Sequence, residues 1–286
     1  MTSQVRLLGH PVHHSLSPAM HNAAFRAIGM DAVYATQDVP PATLGTAVEA
    51  LRADDCLGAN VTVPHKQAVL ALLDDLTDES LTVGAVNTII RGSDGRLTGS
   101  NTDARGLEHW LRSAAGARGL DGQAALVLGG GGAARAAVMA LGRCGAGSVL
   151  VLNRTPARAL AIVADLQPRL PGVALDWGKL DAAGRPAARP VGIVVNATSL
   201  GLSGEAPPLH ASWLGPDAWA IDLVYNPPET PFLAAARAVG ARADHGLGML
   251  VHQAALAFAL WTGREAPLAV FEDAAQRAVK TEVGAA

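Results

Sequence analysis

Ala124-Ala125-Leu126-Val127-Leu128 is a short apolar run of the kind a buried strand carries, and Gly129-Gly130-Gly131-Gly132-Ala133-Ala134 follows it without a break. The spacing predicts a helix over Ala133–Leu141, stopped at Gly142, and a second strand over Val149–Leu152. That is one βαβ unit, and its glycines fit the pattern G-x-G-x-x-A, in which backbone N–H groups at a helix N-terminus approach a pyrophosphate. A bare glycine turn is the plainer reading, and the strand on one side and helix on the other argue against it. Apolar runs at Val191–Val195 and Trp219–Leu223 extend the same parallel α/β pattern.

Upstream the pattern is similar. Val5–Leu8 reads as a strand, and Ser17-Pro18 as an N-cap followed by a helix to about Ile28. Leu44–Arg52 places Leu44, Val48 and Leu51 on one helical stripe. Asn60-Val61-Thr62-Val63 alternates, so Asn60 and Thr62 share a strand face and both valines pack behind it. Pro64 is expected to open a helix holding Val69, Leu72, Leu73 and Leu76. Asp94-Gly95 signals a hairpin; a two-residue turn there pairs Ser93 with Arg96 and, counting back, Asn87 with Thr102, beside Asp103. Closing helices are expected over about Met249–Trp261 and Leu268–Val279.

Composition narrows the class. With 286 residues the chain is long for one core and comfortable for two domains. Half the residues are apolar and only 4% aromatic, so the core is built from Ala, Val and Leu. A net charge of −3 from 22 basic and 25 acidic side chains argues against a nucleic-acid surface. No apolar run reaches bilayer length, and Met1–Val12 lacks the features of a secretory signal. Cys56 and Cys144 read as reduced packing residues, and the histidines His10, His13, His14 and His21 show no metal-ligand spacing. No metal, nucleic-acid or membrane partner is expected, and the expected compartment is the cytoplasm.

Several residues suggest chemistry. Where NAD enzymes carry an acid about 20 residues past the glycines, this chain has Asn153-Arg154-Thr155 and then Arg158. A guanidinium forks onto a 2′-phosphate that a carboxylate would repel, so NADP is the better reading, against that of solvated surface arginines. Asn196 and Tyr225 stand at the C-terminal ends of expected strands, where open sheets bind ligands. Asn196 reads equally as an Asx turn with Thr198, and Tyr225 as a half-buried ring. Lys66 is expected in the first turn of a helix, where the dipole disfavours an ammonium, which leaves a structural role without a motive. A snorkelling surface lysine is the common alternative. Asp103 reads either as a functional carboxylate or as the N-cap of the helix carrying Leu107, Trp110 and Leu111; Ser15 and Ser17 are similarly ambiguous.

The chain resembles the shikimate dehydrogenases. The resemblance rests on Gly9-His10-Pro11, His14-Ser15-Leu16-Ser17-Pro18, His21-Asn22, Gly58-Ala59-Asn60-Val61-Thr62-Val63-Pro64 with Lys66, Gly84-Ala85-Val86-Asn87-Thr88 and Asn101-Thr102-Asp103. It continues through Gly129–Arg135, Asn153-Arg154-Thr155, Asn196-Ala197-Thr198-Ser199, Thr230-Pro231-Phe232-Leu233 and Gly246-Leu247-Gly248-Met249-Leu250 with Gln253. These motifs follow the family's order over almost the whole chain. The resemblance implies a two-domain α/β protein: residues 1–102 plus 247–286 bind the substrate, and residues 103–246 form a Rossmann-type NADP-binding domain. It implies reversible, NADP-dependent reduction of 3-dehydroshikimate to shikimate, in the biosynthesis of chorismate and the aromatic amino acids. Lys66 and Asp103 match the family's catalytic pair, and Ser15, Ser17, Asn60, Thr62, Asn87, Tyr225 and Gln253 its substrate contacts. Gly129, Gly130, Gly131, Gly132, Ala133, Asn153, Arg154, Thr155, Arg158, Asn196, Thr198, Gly246 and Met249 are the expected cofactor contacts. Gly246 and Gly248 are expected to let the backbone approach the nicotinamide, and Met249 and Gln253 share a helical face.

Two positions depart from the commonest family pattern: His10, where many relatives have Asn, and His245, where Asp is frequent. The resemblance leaves room for a homodimer and for two rival activities. One is a catabolic quinate/shikimate dehydrogenase, against which Asn153-Arg154-Thr155 and Ser17 weigh. The other is a catalytically silent NADP-binding regulatory paralogue, against which the presence of both Lys66 and Asp103 weighs.

Overall fold

The computed structural model describes residues 2–115, 119–181, 190–202, 204–205 and 207–283. The chain divides into two compact units, Met1–Gly106 with Leu250–Ala286 and Leu107–Met249. Asp103 therefore belongs to the first unit, although the expected boundary placed it in the second.

The first unit is built on a six-stranded sheet. Its strands are β1 (Ser3–Gly9), β2 (Ala32–Asp38), β3 (Cys56–Val61), β4 (Asp75–Leu76), β5 (Thr88–Arg91) and β6 (Leu97–Ser100), in the order β2-β1-β3-β5-β6-β4. Strands β2, β1 and β3 are parallel, while β5 runs antiparallel to both β3 and β6. Helices α1 (Ser17–Ala27), α2 (Leu44–Glu49) and α3 (Asp78–Val83) belong to this unit. The stripe Leu44, Val48 and Leu51 packs with Leu8, Val61, Ile89 and Leu97 in one core, although α2 tightens into a 3₁₀ turn over Ala50–Arg52.

The second unit carries β7 (Ala124–Leu128), β8 (Ser148–Asn153), β9 (Ala174–Lys179), β10 (Val191–Asn196), β11 (Leu214–Asp222) and β12 (Arg242–His245). Their order, β12-β11-β10-β7-β8-β9, with every pairing parallel, is the doubly wound dinucleotide-binding arrangement, whose order reverses between β7 and β10. Helix α4 (Asp103–Ala115) leads in, and α5 (Gly132–Arg143), α6 (Pro156–Leu166) and α7 (Pro231–Ala238) connect the strands. Helices α8 (Leu247–Thr262) and α9 (Leu268–Val283) close the chain. Among the described residues no helix is long and apolar enough to cross a membrane.

Five local expectations are corrected. Leu16, not Ser17, is the N-cap of α1, and the side chain that meets the helix start is Ser15, whose Oγ accepts from Ser17 N–H at 3.2 Å. Val63 is 60% exposed and does not pack behind the strand, which ends at Val61. Pro64 opens no helix. His65 N–H closes a local turn on Thr62 O, only Ala68–Leu72 forms a 3₁₀ turn, and Lys66 O, which a helix would have used, instead accepts the long-range Val86 N–H. The Asp94-Gly95 hairpin has a three-residue connection closed by Gly92 N–H on Arg96 O. This shifts the register by one, so that Thr88 pairs with Ser100. Helix α5 runs through Gly142 to Arg143, is capped by Cys144, and is followed by Gly145 in the left-handed region at a φ of 91°.

Candidate active site

Within the first unit the polar candidates collect at one edge of the sheet. Strands β1, β3 and β6 end there and β5 begins there, because antiparallel pairing turns the start of β5 toward the end of β3. The loop after β1 is tied to the loop after β3 by His10 N–H on Val63 O at 2.9 Å. Ser15, Ser17, Thr62 and Lys66 therefore lie on segments leaving one edge. Ser17 is buried, whereas Ser15 and Thr62 are half-buried.

Lys66 Nζ donates to Asp103 Oδ2 at 2.5 Å, with the two side chains 16% and 5% exposed. Lys66 lies outside any helix, so the expected conflict with a helix dipole does not arise. Its turn is held instead by the buried His65, whose Nε2 bonds Val39 O at 2.6 Å. Asp103 is the first residue of α4 and not its cap; the capping acceptor is Asn101, whose Oδ1 takes Ala104 N–H at 3.2 Å. This frees the Asp103 carboxylate. Its other oxygen, Oδ1, accepts from Asn87 Nδ2 at 2.8 Å, so Asn87 does sit beside Asp103 despite the shifted hairpin register.

Asn87 also reaches Thr102 Oγ1 at 2.9 Å and Gln253 Oε1 at 3.3 Å. Gln253 comes this close because Gly106 has no side chain: a Cβ there would lie 2.6 Å from Gln253 N. Asn60 is buried and spent on the fold, with Oδ1 accepting from Tyr34 Oη at 2.8 Å and Nδ2 donating to Asn87 O at 3.0 Å. Thr88, Thr102, Tyr34 and His65 are parts of this constellation that sequence reading did not single out as site residues. Of these, Thr88, as the neighbour of Asn87, and Thr102, as the neighbour of Asp103 and the expected hairpin partner of Asn87, carried a signal.

The second unit has a candidate nucleotide site at the β7–β10 switch point, where open parallel sheets bind ligands. Helix α5 begins at Gly132, and its N-cap Gly131 supplies no side-chain acceptor, which leaves first-turn N–H groups available to an anion. A Cβ at Gly130 would fall 2.8 Å from the Asn153 side chain, so the loop packs there only as glycine. Asn153 Nδ2 donates to Thr155 O at 2.9 Å, and Arg154, Thr155 and Arg158 are exposed. Among the described residues neither Arg154 nor Arg158 pairs with a carboxylate. Cradle, exposed guanidinium groups and the absence of an acid at the end of β8 fit a dinucleotide bearing a 2′-phosphate.

Asn196 forms an Asx turn with Thr198 at the C-terminal end of β10. Its Oδ1 accepts from Thr198 N–H and Oγ1, and its Nδ2 donates to Leu200 O and to Asp222 Oδ1. The fully buried Asp222 also accepts from Val224 N–H and Thr230 Oγ1. It thereby fastens the segments after β10 and β11 and the cap of α7, while desolvation raises its pKa despite the three donors. Tyr225, half-buried, lies three residues past the end of β11. Gly246 and Gly248 serve packing: a Cβ would meet Leu223 O at 2.7 Å and the Trp110 indole at 2.1 Å, respectively. His245 Nδ1 accepts from Leu247 N–H, and burial lowers its pKa. His10 pairs with Asp38 at 2.9 Å on the surface. Among the described residues no group of three His, Cys, Asp or Glu is placed to hold a metal ion.

Comparison with known proteins shows the family. Residues 7–89 match the family model described as the shikimate dehydrogenase substrate binding domain, and residues 246–276 the shikimate 5′-dehydrogenase C-terminal domain. The shikimate dehydrogenase (NADP(+)) of Moorella thermoacetica is 46% identical over 287 aligned residues, covering 99% of this chain and 96% of that protein. A shikimate 5-dehydrogenase of Thermus thermophilus, solved in complex with NADP(H) and shikimate, is 42% identical with a TM-score of 0.83, covering 96% of this chain and 99% of the other. A quinate dehydrogenase of Corynebacterium glutamicum, solved in complex with NAD, has a TM-score of 0.85 at 32% identity, covering 96% and 99% of the two chains. At such identity over nearly its full length, the chain belongs to the shikimate dehydrogenase family.

Proposed function

We propose that this chain catalyses the NADP-dependent, reversible reduction of 3-dehydroshikimate to shikimate, on the route to chorismate and the aromatic amino acids. The observation that carries the reading is the 2.5 Å contact between Lys66 Nζ and Asp103 Oδ2, backed by Asn87, on the ligand edge of the first unit. Bound NADPH supplies the hydride. Reduction of the ketone builds negative charge on its oxygen, and a fixed donor must neutralise it. Lys66 is that donor, giving a proton to the nascent alkoxide in reduction and taking it back in oxidation. Asp103 holds the amine in place and offsets its charge. Ser15, Ser17, Thr62, Asn87, Tyr225 and Gln253 are the proposed substrate contacts, and Asn60 supports Asn87 from behind. Gly129–Ala133 and Thr198 cradle the dinucleotide, with Gly246 and Met249 toward its nicotinamide end, and Asn153, Arg154, Thr155 and Arg158 take the adenosine 2′-phosphate.

The quinate dehydrogenase shares the fold, so overall shape does not choose between shikimate with NADP and quinate with NAD. The end of β8 supports NADP over NAD: among the described residues Arg154 and Arg158 pair with no carboxylate, and β8 ends in Asn153 and not in an acid that would bind ribose hydroxyls. Steady-state rates on shikimate and on quinate, each with NADP+ and NAD+, test the reading. Shikimate with NADP+ is expected to give the highest kcat/KM, and failure of shikimate to reduce NADP+ refutes the proposal. Arg154→Ala is expected to raise KM for NADP+ about 10- to 100-fold, the weight of charge-assisted hydrogen bonds, while leaving KM for NAD+ unchanged. An equal effect on both cofactors would assign Arg154 no part in reading the phosphate. The proposed compartment is the cytoplasm, and sedimentation tests the homodimer as the proposed assembly.

A further inference from the structure

The buried polar residues between Tyr34 and Asp103 form a hydrogen-bond chain whose direction follows from backbone groups of fixed role. The backbone carbonyl of Asn87 can only accept, and it takes Asn60 Nδ2 at 3.0 Å. This turns Asn60 Oδ1 toward Tyr34, whose Oη donates to it at 2.8 Å. The N–H of Thr102 can only donate, and it meets Asn87 Oδ1 at 2.7 Å, which turns Asn87 Nδ2 toward Asp103 Oδ1 at 2.8 Å. Thr88 stands between the two amides. Its Oγ1 accepts from Asn60 Nδ2 at 3.2 Å, and its single proton goes to Asn87 Oδ1 at 3.0 Å, nearer than the other acceptor, Thr102 Oγ1 at 3.3 Å. Donation therefore runs one way, Tyr34 to Asn60 to Thr88 to Asn87 to Asp103, and Lys66 closes on the other carboxylate oxygen.

We propose that Thr88 is a positioning residue for the reaction: its hydroxyl holds the Asn87 carboxamide in the orientation that presents an N–H to Asp103, and so steadies the carboxylate against Lys66. This rests on the assignment of Lys66 and Asp103 as the catalytic pair. Packing alone does not explain a hydroxyl at this site. Thr88 is fully buried at the start of β5, where valine has the same shape, a high strand preference and no polar atom to desolvate. A buried hydroxyl is retained at no cost only when both its donor and its acceptor are used, as they are here.

The experiment compares Thr88→Val with Thr88→Ser in the full-length enzyme. With shikimate and NADP+, T88V is expected to lower kcat about tenfold, the weight of one buried hydrogen bond, while KM for NADP+ stays at the wild-type value. T88S, which keeps the hydroxyl, recovers most of the loss. A T88V enzyme with wild-type kcat, or a T88S enzyme as slow as T88V, overturns the proposal. If T88V does not fold, Tyr34→Phe removes the first donor of the chain and is expected to lower kcat about threefold, a smaller loss because Tyr34 reaches Asn87 only through Asn60 and Thr88; an unchanged kcat there overturns it equally. The side-chain amide resonances of Asn87 give a readout that does not depend on turnover. They are expected to shift in T88V and not in T88S, and identical signals in T88V and wild type refute the chain. Wild-type enzyme that fails to turn over shikimate refutes the functional reading instead, and leaves the amide test standing.

Discussion

Replacing Lys66 by Met is expected to lower kcat for shikimate oxidation by about 10³-fold, within the range lost when a positioned acid/base is removed. Methionine preserves the length and apolar stem of lysine but cannot move a proton. The loss should fall on kcat while KM for NADP+ stays unchanged, because the expected dinucleotide contacts lie in the second unit and Lys66 lies in the first. Asp103→Asn should also be slow. It retains the contact to Nζ through an amide oxygen but removes the charge that offsets the ammonium, and its NH2 group opposes the N–H that Asn87 presents at 2.8 Å. A Lys66→Met enzyme that loses only shikimate affinity and keeps its turnover number would reduce Lys66 to a binding group. The pair would then be an ion pair at the site edge with no part in proton transfer.

Acid is expected to destabilise the first unit through His21. This histidine lies on α1, fully buried, stacked on Tyr34 at 4.4 Å between ring centroids and edge-on to Phe271 at 5.2 Å. Neither ring nitrogen has a hydrogen-bond partner among the described residues. Burial lowers its pKa from 6.5 to about 3, since an imidazolium there would lose its hydration with nothing in exchange. The sign follows from linkage. Between these two values the unfolded chain binds the proton and the folded chain does not. Stability contributed by the neutral ring is therefore complete above about pH 6.5 and is lost as pH falls toward 3. The slope is about 1.4 kcal/mol per pH unit, so about 3 kcal/mol is lost between pH 6.5 and pH 4. His245, also lowered by burial, contributes in the same direction in the second unit. Hydrogen exchange of the α1 amides across this range measures the first effect. In His21→Leu, which has no group to protonate there, the acid-dependent part of that slope should vanish; an identical slope in the variant would place the sensitivity elsewhere.

How much of this was legible beforehand differs by region. The βαβ unit at Ala124–Leu152 was readable because an apolar strand, a glycine run and an alanine-rich helix each obey a local rule, and together they leave one topology. The strands β2, β9 and β12 were not identified. They lie toward the margins of their sheets and include exposed or half-buried residues, so their apolar content is diluted below the level at which alternation stands out. At the site, Asn87 beside Asp103 was anticipated from the hairpin signal even though the connection has three residues and the register is shifted by one. The amide and carboxylate side chains are long enough to absorb that shift. The expected helix at Pro64 failed for a different reason. The buried His65 bonds Val39 O, and Lys66 O takes Val86 N–H, so contacts distant in sequence overrode a pattern that reads locally as helical.

Sequence alone settled the two α/β halves, the glycine-rich turn before α5, the arginines that follow β8 and the presence of an amine and a carboxylate with chemistry to share, because each depends on residue type within a short span. Tertiary structure decided how those groups are used. It released Asp103 from capping by giving that task to Asn101, spent Asn60 and Asn196 on the fold, and ordered Tyr34, Thr88 and Asn87 into a chain ending at the carboxylate. The physical reason is that a hydrogen bond is made at about 3 Å between groups that the sheet brings together from far apart in the chain, and no local periodicity encodes which of several polar side chains will be left free once all the buried ones are satisfied.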